Sequence, residues 1–83
     1  MLQNVTEFEI LPEHKIKVAL SNGKRGIFDV KPYLDKGIFT ELKDYNYFRN
    51  ARIEYGTITW QNGQDFSPNT IESLINLLHF KLR

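Results

Sequence analysis

The segment 60–70 constrains the fold of this chain more tightly than any other stretch. It predicts a strand end, a turn and the start of a capped helix in quick succession. Asn62-Gly63 supplies a backbone position that tolerates a positive φ. Ser67 is a good N-cap, and Pro68 falls at the first helical position, where a missing N–H costs nothing. Nothing in the segment is a nucleophile, a phosphate cradle or a metal motif, so it specifies architecture and not chemistry.

Composition limits the chain to one small domain. With 83 residues, it buries about 60–65% of the surface that its unfolded form exposes, and 41% apolar residues suffice for one core. Glycine and proline occur singly between short periodic segments, so we expect residues 1–83 to form a single domain. The chain has no cysteine, which excludes disulfides, thiolate chemistry and cysteine zinc sites and favours a reducing cytoplasm.

Charge gives little support to a nucleic-acid partner. The 11 Lys+Arg and 10 Asp+Glu are interleaved along the chain and leave a net charge of +1. The N-terminus carries no basic export signal, and no apolar run approaches the roughly 18 residues that span a bilayer. We therefore expect a cytoplasmic protein without a membrane partner.

Two strands are predicted near the N-terminus, over residues 5–10 and 16–20, joined by a loop. Their apolar faces align when Phe8 lies opposite Val18, and this register puts Glu9 opposite Lys17 as a cross-strand ion pair. A second hairpin turns at Asn22-Gly23, and its register stays open. A two-residue turn pairs Val18 with Ile27, whereas the following apolar pattern requires Phe28 to point inward, with Gly26 as a bulge that reconciles the two.

The middle of the chain predicts helical turns followed by a third hairpin. Pro32 suits a helix start, and apolar spacing from residue 33 to residue 42, broken at Gly37, predicts short helical turns over the sheet, with an irregular connector over 44–50. A two-residue type II′ turn at Gly56-Thr57 is predicted next. It places Tyr55 opposite Ile58 and residue 53 opposite residue 60, all on one face.

A C-terminal helix is predicted over residues 68–81. Its apolar stripe should close the core and consists of Ile71, Leu74, Ile75, Leu78 and Leu82. Leu77 and Phe80 project away from this stripe, so they are covered by another part of the domain, by a partner or by a second copy. The predicted fold is a small α+β domain of order β-β-β-α-β-β-α, with a largely antiparallel sheet and the C-terminal helix packed on one face.

The search for catalytic chemistry is negative. His14 lies in a hairpin loop and His79 near a helix end, without the short spacing of a metal pair. Asp29, Asp35 and Asp65 lie at element ends, where capping is their usual role. The chain has no nucleophile elbow, GxGxxG or Walker loop. We therefore expect no enzyme, no catalytic residue, no cofactor and no metal.

The aromatic and basic segment 44–52 is the candidate binding surface. Tyrosine and arginine combine large contact area with hydrogen-bonding tips. We expect Phe48 and one tyrosine to be core, with the other tyrosine over the sheet edge; bases stacked on a tyrosine would be the nucleic-acid alternative. The partner-binding candidates are Tyr45, Tyr47, Arg49, Arg52, Leu77 and Phe80.

The ordered motifs along the chain resemble the small bacterial family known as domain of unknown function 2442. They are Phe28-Asp29-Val30, Pro32-Tyr33-Leu34, Gly37-Ile38-Phe39, Leu42, Phe48, Ile58-Thr59-Trp60, Asn62-Gly63 and Asp65-Phe66-Ser67-Pro68. The resemblance implies a cytoplasmic α+β domain without an established activity. Some longer relatives append a helix-turn-helix segment, which we do not expect after Arg83, and some pair with another small protein in a toxin–antitoxin-like arrangement.

Two functions follow from these observations. The first is a non-catalytic protein-interaction module, antitoxin-like, whose partner is another small protein or a second copy. The alternative is a nucleic-acid-binding accessory or regulatory domain, which the low net charge supports only weakly.

Overall fold

Two antiparallel sheets and several short helices build the domain. The computed structural model describes the backbone of residues 3–77 and the side chains of residues 3–75. The strands are β1 (Val5–Leu11), β2 (Lys15–Leu20), β3 (Arg25–Asp29), β4 (Arg52–Glu54), β5 (Thr57–Thr59), β6 (Asp65–Phe66) and β7 (Asn76–Leu77). The helices are two 3₁₀ helices, Lys31–Tyr33 and Gly37–Lys43, and the α-helices α1 (Tyr45–Phe48) and α2 (Pro68–Leu74). The predicted α+β class is confirmed.

One sheet has the strand order β1-β2-β3-β7 and the other β4-β5-β6. The predicted register of the first hairpin is confirmed, with Phe8 opposite Val18 and Glu9 opposite Lys17. Alternation along β2 buries Ile16, Val18 and Leu20, while the intervening side chains lie on the outer face. No described helix has the length and apolar character needed to cross a membrane.

The second hairpin turns through a three-residue loop. The N–H of Leu20 donates to the carbonyl of Lys24 at 2.9 Å, the N–H of Gly23 donates back to Leu20 at 2.9 Å, and Gly23 has φ 92. Val18 therefore pairs with Gly26, and the two-residue turn that pairs it with Ile27 is wrong. Because the loop is one residue longer, Phe28 points inward without a bulge at Gly26.

The same loop geometry recurs at the second Asn-Gly. The N–H of Trp60 donates to the carbonyl of Gln64 at 3.0 Å, the N–H of Gly63 donates back to Trp60 at 3.1 Å, and Gly63 has φ 99. The chain consequently turns back on β5 and forms β6, a two-residue strand that the sequence analysis did not predict. An Asn-Gly pair thus makes the same three-residue turn in both sheets.

The hairpin of β4 and β5 exists as predicted, but its register is wrong. Ile53, not Tyr55, lies opposite Ile58. The turn residues are Tyr55 at φ 52 and Gly56 at φ 75, which is the type I′ combination. Ile58 in β5 and Trp60, the residue directly after β5, are both still buried on the inner side. Tyr55 leaves that face and becomes fully exposed.

Helix α2 begins as predicted and ends early. The Ser67 hydroxyl accepts from the N–H of Thr70 at 3.3 Å, and Pro68 is the first helical residue. The helix stops at Leu74, which is 45% exposed and not in the core, so the predicted helical continuation is wrong over residues 75–77. Ile75 is extended and buried, and β7 then pairs with the free edge of β3. Leu78, Leu82 and the rest of the predicted stripe lie outside the described residues.

The core lies between the inner faces of the sheets and α2. Its buried apolar residues are Val5, Ile16, Val18, Leu20, Phe28, Val30, Leu42, Phe48, Ile58, Trp60, Phe66, Ile71 and Ile75. Phe66 meets Phe28 edge to face at a ring separation of 4.8 Å, and the Trp60 indole donates to the carbonyl of Phe48 at 2.8 Å. Aromatic contacts thus join the two sheets into one core.

The helical turns predicted between residues 33 and 42 are confirmed as the two 3₁₀ helices. The predicted irregular connector over 44–50 instead contains α1. The Asp44 carboxylate accepts from the N–H of Asn46 at 3.0 Å and caps this single turn, which buries Phe48.

Candidate functional site

Helix α1 places its two tyrosines in different environments. The hydroxyl of Tyr47 donates to Gln64 Oε1 at 2.7 Å and accepts from the N–H of Asn62 at 2.9 Å, so Tyr47 is part of the internal structure. Tyr45 is 39% exposed, and its hydroxyl donates to the carbonyl of Leu11, the last residue of β1, at 3.1 Å. The structure confirms that Phe48 and one tyrosine pack inward while the other lies over the sheet edge.

The basic residues of this segment are exposed and partly neutralised. Arg52 Nε pairs with Glu54 at 3.0 Å, and Lys43 pairs with Asp35 at 2.9 Å. Arg49 is exposed at the end of α1. The structure does not gather these cations into one basic surface around the tyrosines.

The proposed pairing of Leu77 and Phe80 on one helix flank does not hold for Leu77. Its backbone lies in β7 and pairs with Gly26 of β3, so Leu77 is not a helical residue. Phe80 and His79 lie outside the described residues. The helix flank predicted to present these residues is therefore absent at Leu77, and the partner-binding role of Leu77 and Phe80 stays a prediction.

Asp29, Asp35 and His14, three of the chemical candidates, have structural partners. Asp29 accepts from the N–H of Lys31 at 3.0 Å, as expected of a capping residue, whereas Asp35 forms the ion pair with Lys43. Asp65 is exposed in β6. The His14 ring lies 2.9 Å from the carbonyl of Leu42 and packs on Phe48. Among residues 3–77, no group of three metal-ligating side chains comes together.

A polar network lies at the centre of this side of the domain, around the buried side chain of Gln64. Its amide donates to the carbonyl of Ile38 and to Glu41, both at 2.9 Å, and its carbonyl accepts from Tyr47. Asn62 completes the network by donating to the second Glu41 oxygen at 2.7 Å. The network joins the 3₁₀ helix Gly37–Lys43, α1 and the second Asn-Gly loop.

Two carboxylates have lowered pKa values, and acid should therefore destabilise the domain. Hydrogen bonds from Asn62 and Gln64 hold the pKa of Glu41 below its ordinary value of 4.5. The Lys24 ammonium at 2.6 Å, followed by Gln3, lowers the pKa of Glu72 in the same way. The unfolded chain then binds more protons, so the stabilisation is complete above pH 4.5 and is lost as pH falls through the lowered values.

The measurement is the melting temperature as a function of pH. The melting temperature should fall below pH 4.5, and the double variant Glu41→Gln, Glu72→Gln should show a smaller fall. An equal fall in both proteins would contradict this assignment.

Sequence reasoning missed Tyr55, whose side chain is 100% exposed at the tip of the β4–β5 hairpin. The neighbouring carbonyl of Gly56 accepts from the N–H of Val5, the first residue of β1, at 2.8 Å. Tyr55 therefore stands beside the beginning of β1, as Tyr45 stands beside its end. Placing the two-residue turn at Tyr55-Gly56, and not at Gly56-Thr57, would have predicted that Tyr55 is exposed.

Strand β1 is an edge strand, because its order in the sheet gives it only β2 as a described neighbour. On its outer face, Glu7 and Glu9 are exposed, and together with Lys17 and Arg25 they line a shallow depression of about 180 Å³. The ion pairs among the described residues do not include the one predicted between Glu9 and Lys17, although the register is as predicted. A β-bulge interrupts the pairing of β1 with β2 between Val5 and Glu7. We call β1 from Glu7 to Ile10, with Tyr45 and Tyr55 at its ends, the edge surface.

These elements define a small α+β domain of two antiparallel sheets with short helices. Residues 5–76 match the model of the family described as protein of unknown function (DUF2442). The chain belongs to this family, as the order of its motifs predicted. No curated protein and no solved structure matches the chain at a significant level.

Proposed function

We propose that this chain is a non-catalytic binding module for a second protein. Tyr55 carries the proposal, because its side chain is fully exposed while its backbone is held at φ 52. A left-handed backbone costs a non-glycine residue on the order of 1 kcal/mol, and asparagine or aspartate is the usual first residue of a type I′ turn. Tyrosine provides large contact area at protein interfaces with little loss of side-chain entropy. A partner that covers Tyr55 would account for its presence in this turn.

The partner in this proposal is another small protein, with this chain as the antitoxin-like member of a pair in the bacterial cytoplasm. The family resemblance supports this role, and Tyr45 adds a second exposed tyrosine to the binding surface. A nucleic-acid partner has less support, because Lys43 and Arg52 each face a carboxylate. Phosphate contacts would require those cations.

The test is capture of the tagged chain's partner from a lysate of its own host, with elution across a salt gradient. The unchanged chain should retain a stoichiometric protein at high salt. Tyr55→Asn should retain at least about tenfold less, because a tyrosine at the centre of an interface commonly contributes about 2 kcal/mol or more to binding. Asparagine suits the left-handed position, so its melting temperature should not fall.

Leu74→Ser is the matched control, since it removes exposed apolar surface at the end of α2 and should leave capture unchanged. Equal losses with Tyr55→Asn and Leu74→Ser would contradict the assignment to Tyr55. Nucleic acid released by moderate salt, in place of a protein, would overturn the proposal.

A further inference from the structure

We propose that the edge surface binds an extended strand of the partner protein in which lysine or arginine alternates with apolar residues. The partner strand would pair with β1 through main-chain hydrogen bonds and extend the four-stranded sheet. This inference rests on the proposed function and names the partner's chemistry.

The backbone of β1 presents free hydrogen-bonding groups on its outer side. The backbone of Leu20 bonds to Lys24, so Leu20 and every second residue before it in β2 point their N–H and C=O groups toward β3. The residues between them, among them Lys17, point these groups toward β1. Glu7 and Glu9 therefore exchange bonds with β2, whereas the N–H and C=O groups of Phe8 and Ile10 point away from it. No backbone group among residues 3–77 pairs with them there.

The free stretch of β1 has defined ends. At one end the N–H of Val5 donates to the carbonyl of Gly56. At the other end Leu11 lies opposite Lys15 and points its carbonyl toward β2, and that carbonyl also accepts from the Tyr45 hydroxyl. The length from Glu7 to Ile10, beyond the β-bulge between Val5 and Glu7, is about 14 Å at about 3.4 Å per residue, which is within the ordinary range of strand lengths. A strand bound there would lie between Tyr45 and Tyr55, so both exposed tyrosines would contact it.

Charge on the edge surface selects the partner and disfavours a second copy. Antiparallel pairing of β1 with itself about Phe8 places Glu7 opposite Glu9, and pairing about Glu9 places two copies of Glu9 opposite each other. Like charges directly opposite are destabilising. A partner with basic residues opposite Glu7 and Glu9 gains attraction on the outer face instead.

Apolar residues are required on the other face of the bound strand. Phe8 and Ile10 are half-buried against the core, on the opposite face of β1 from Glu7 and Glu9. Side chains of a paired strand point alternately to the two faces. A strand that places basic residues beside Glu7 and Glu9 therefore places its remaining residues beside Phe8 and Ile10, where apolar side chains fit.

The test is amide hydrogen exchange of the full chain, measured by NMR with a short synthetic peptide that alternates lysine and valine. The peptide should slow exchange of the Phe8 and Ile10 amides by at least about tenfold and leave those of Glu7 and Glu9, already bonded to β2, unchanged. A peptide that alternates glutamate and valine is the control and should slow neither. Absence of slowing with the lysine peptide, or equal slowing with both, would overturn the inference.

Charge variants test the selection directly. Glu7→Lys with Glu9→Lys should reverse the preference, so that the glutamate peptide protects Phe8 and Ile10. Glu7→Gln with Glu9→Gln, which places no cation beside Lys17, should abolish the preference without affecting the fold. An unchanged preference for the lysine peptide in either variant would contradict the role of the two carboxylates.

The two proposals fail separately. Capture of a partner by the unchanged chain without peptide protection of Phe8 and Ile10 would overturn the edge inference alone. Peptide protection together with undiminished capture by Tyr55→Asn would keep the edge inference and overturn the assignment to Tyr55.

Discussion

Gly56→Ala should lower the melting temperature by about 10–20 °C, which corresponds to about 2–3 kcal/mol for a domain of this size. A β-carbon at Gly56 would overlap Asn4 Oδ1 and lie 2.8 Å from Asn4 Cβ. The residue also has φ 75, a conformation that alanine adopts only with strain. A steric clash with Asn4 and backbone strain therefore both destabilise the Gly56→Ala variant.

Asn4 has little freedom to relieve the clash. Its N–H donates to the Ser21 hydroxyl at 3.0 Å, and its carbonyl accepts from the N–H of Ser21 at 2.8 Å. Rotation of the side chain would move Oδ1 but not the Cβ, which is fixed by the backbone. The start of β1 must therefore move away from the hairpin turn, which weakens the 2.8 Å bond from Val5 to Gly56.

Gly63→Ala separates the two penalties. Gly63 has φ 99, but no atom lies within 4 Å of its added β-carbon, so only the backbone strain of about 1 kcal/mol applies. Asn4→Gly in the Gly56→Ala background removes the obstructing Cβ and should recover part of the difference. Thermal unfolding of the four proteins is the measurement. If Gly56→Ala and Gly63→Ala lowered the melting temperature equally, the close approach of Gly56 to Asn4 would make no contribution to the loss of stability.

Polarity alone could not determine the register of the hairpin beside Gly56. The frames Gly56-Thr57 and Tyr55-Gly56 both place Ile53 and Ile58 on the inner face, because both turns contain two residues. They differ in whether Tyr55 belongs to a strand or to the turn. Aromatic residues seldom adopt a positive φ, so local propensity favours the frame that the structure excludes.

The end of α2 depends on a contact distant in sequence. Ile71 and Ile75 fit a helical stripe, and both are buried, so periodicity correctly identified the inward face of the helix. The chain leaves the helix at Ile75 because the free edge of β3 offers pairing to β7. A periodicity window contains no information about that edge.

The candidate site was only partly predictable for the same reason. A tyrosine over the sheet edge followed from the small size of the core, and Tyr45 occupies that position. That β1 is an edge strand could not be predicted in this way, because it depends on which strands become neighbours in the folded sheet. The internal role of Tyr47 depends on Gln64, a partner that local sequence does not reveal.

Gln64→Leu should destabilise the domain by about 2–4 kcal/mol, since it leaves several polar groups without their partner. Gln64 is 1% exposed and bonds to Tyr47, to Glu41 and to the carbonyl of Ile38. Leucine has similar volume, so the cost arises mainly from lost hydrogen bonds and not from a cavity. The measurement is urea unfolding followed by both circular dichroism and tryptophan fluorescence, which reports on the single Trp60.

Tyr47→Phe is the matched variant, and a double-mutant cycle identifies the network. Alone it should cost about 1–2 kcal/mol, because it removes the bond to Gln64 and the acceptor for Asn62. In the Gln64→Leu variant the Tyr47 hydroxyl has already lost its bond to Gln64, so adding Tyr47→Phe should lower the free energy of unfolding by less than it does alone. Because the network joins α1 to the Asn-Gly loop, both single variants should also loosen the packing that holds Tyr45 against β1. Strictly additive costs would show that the two side chains stabilise the domain independently.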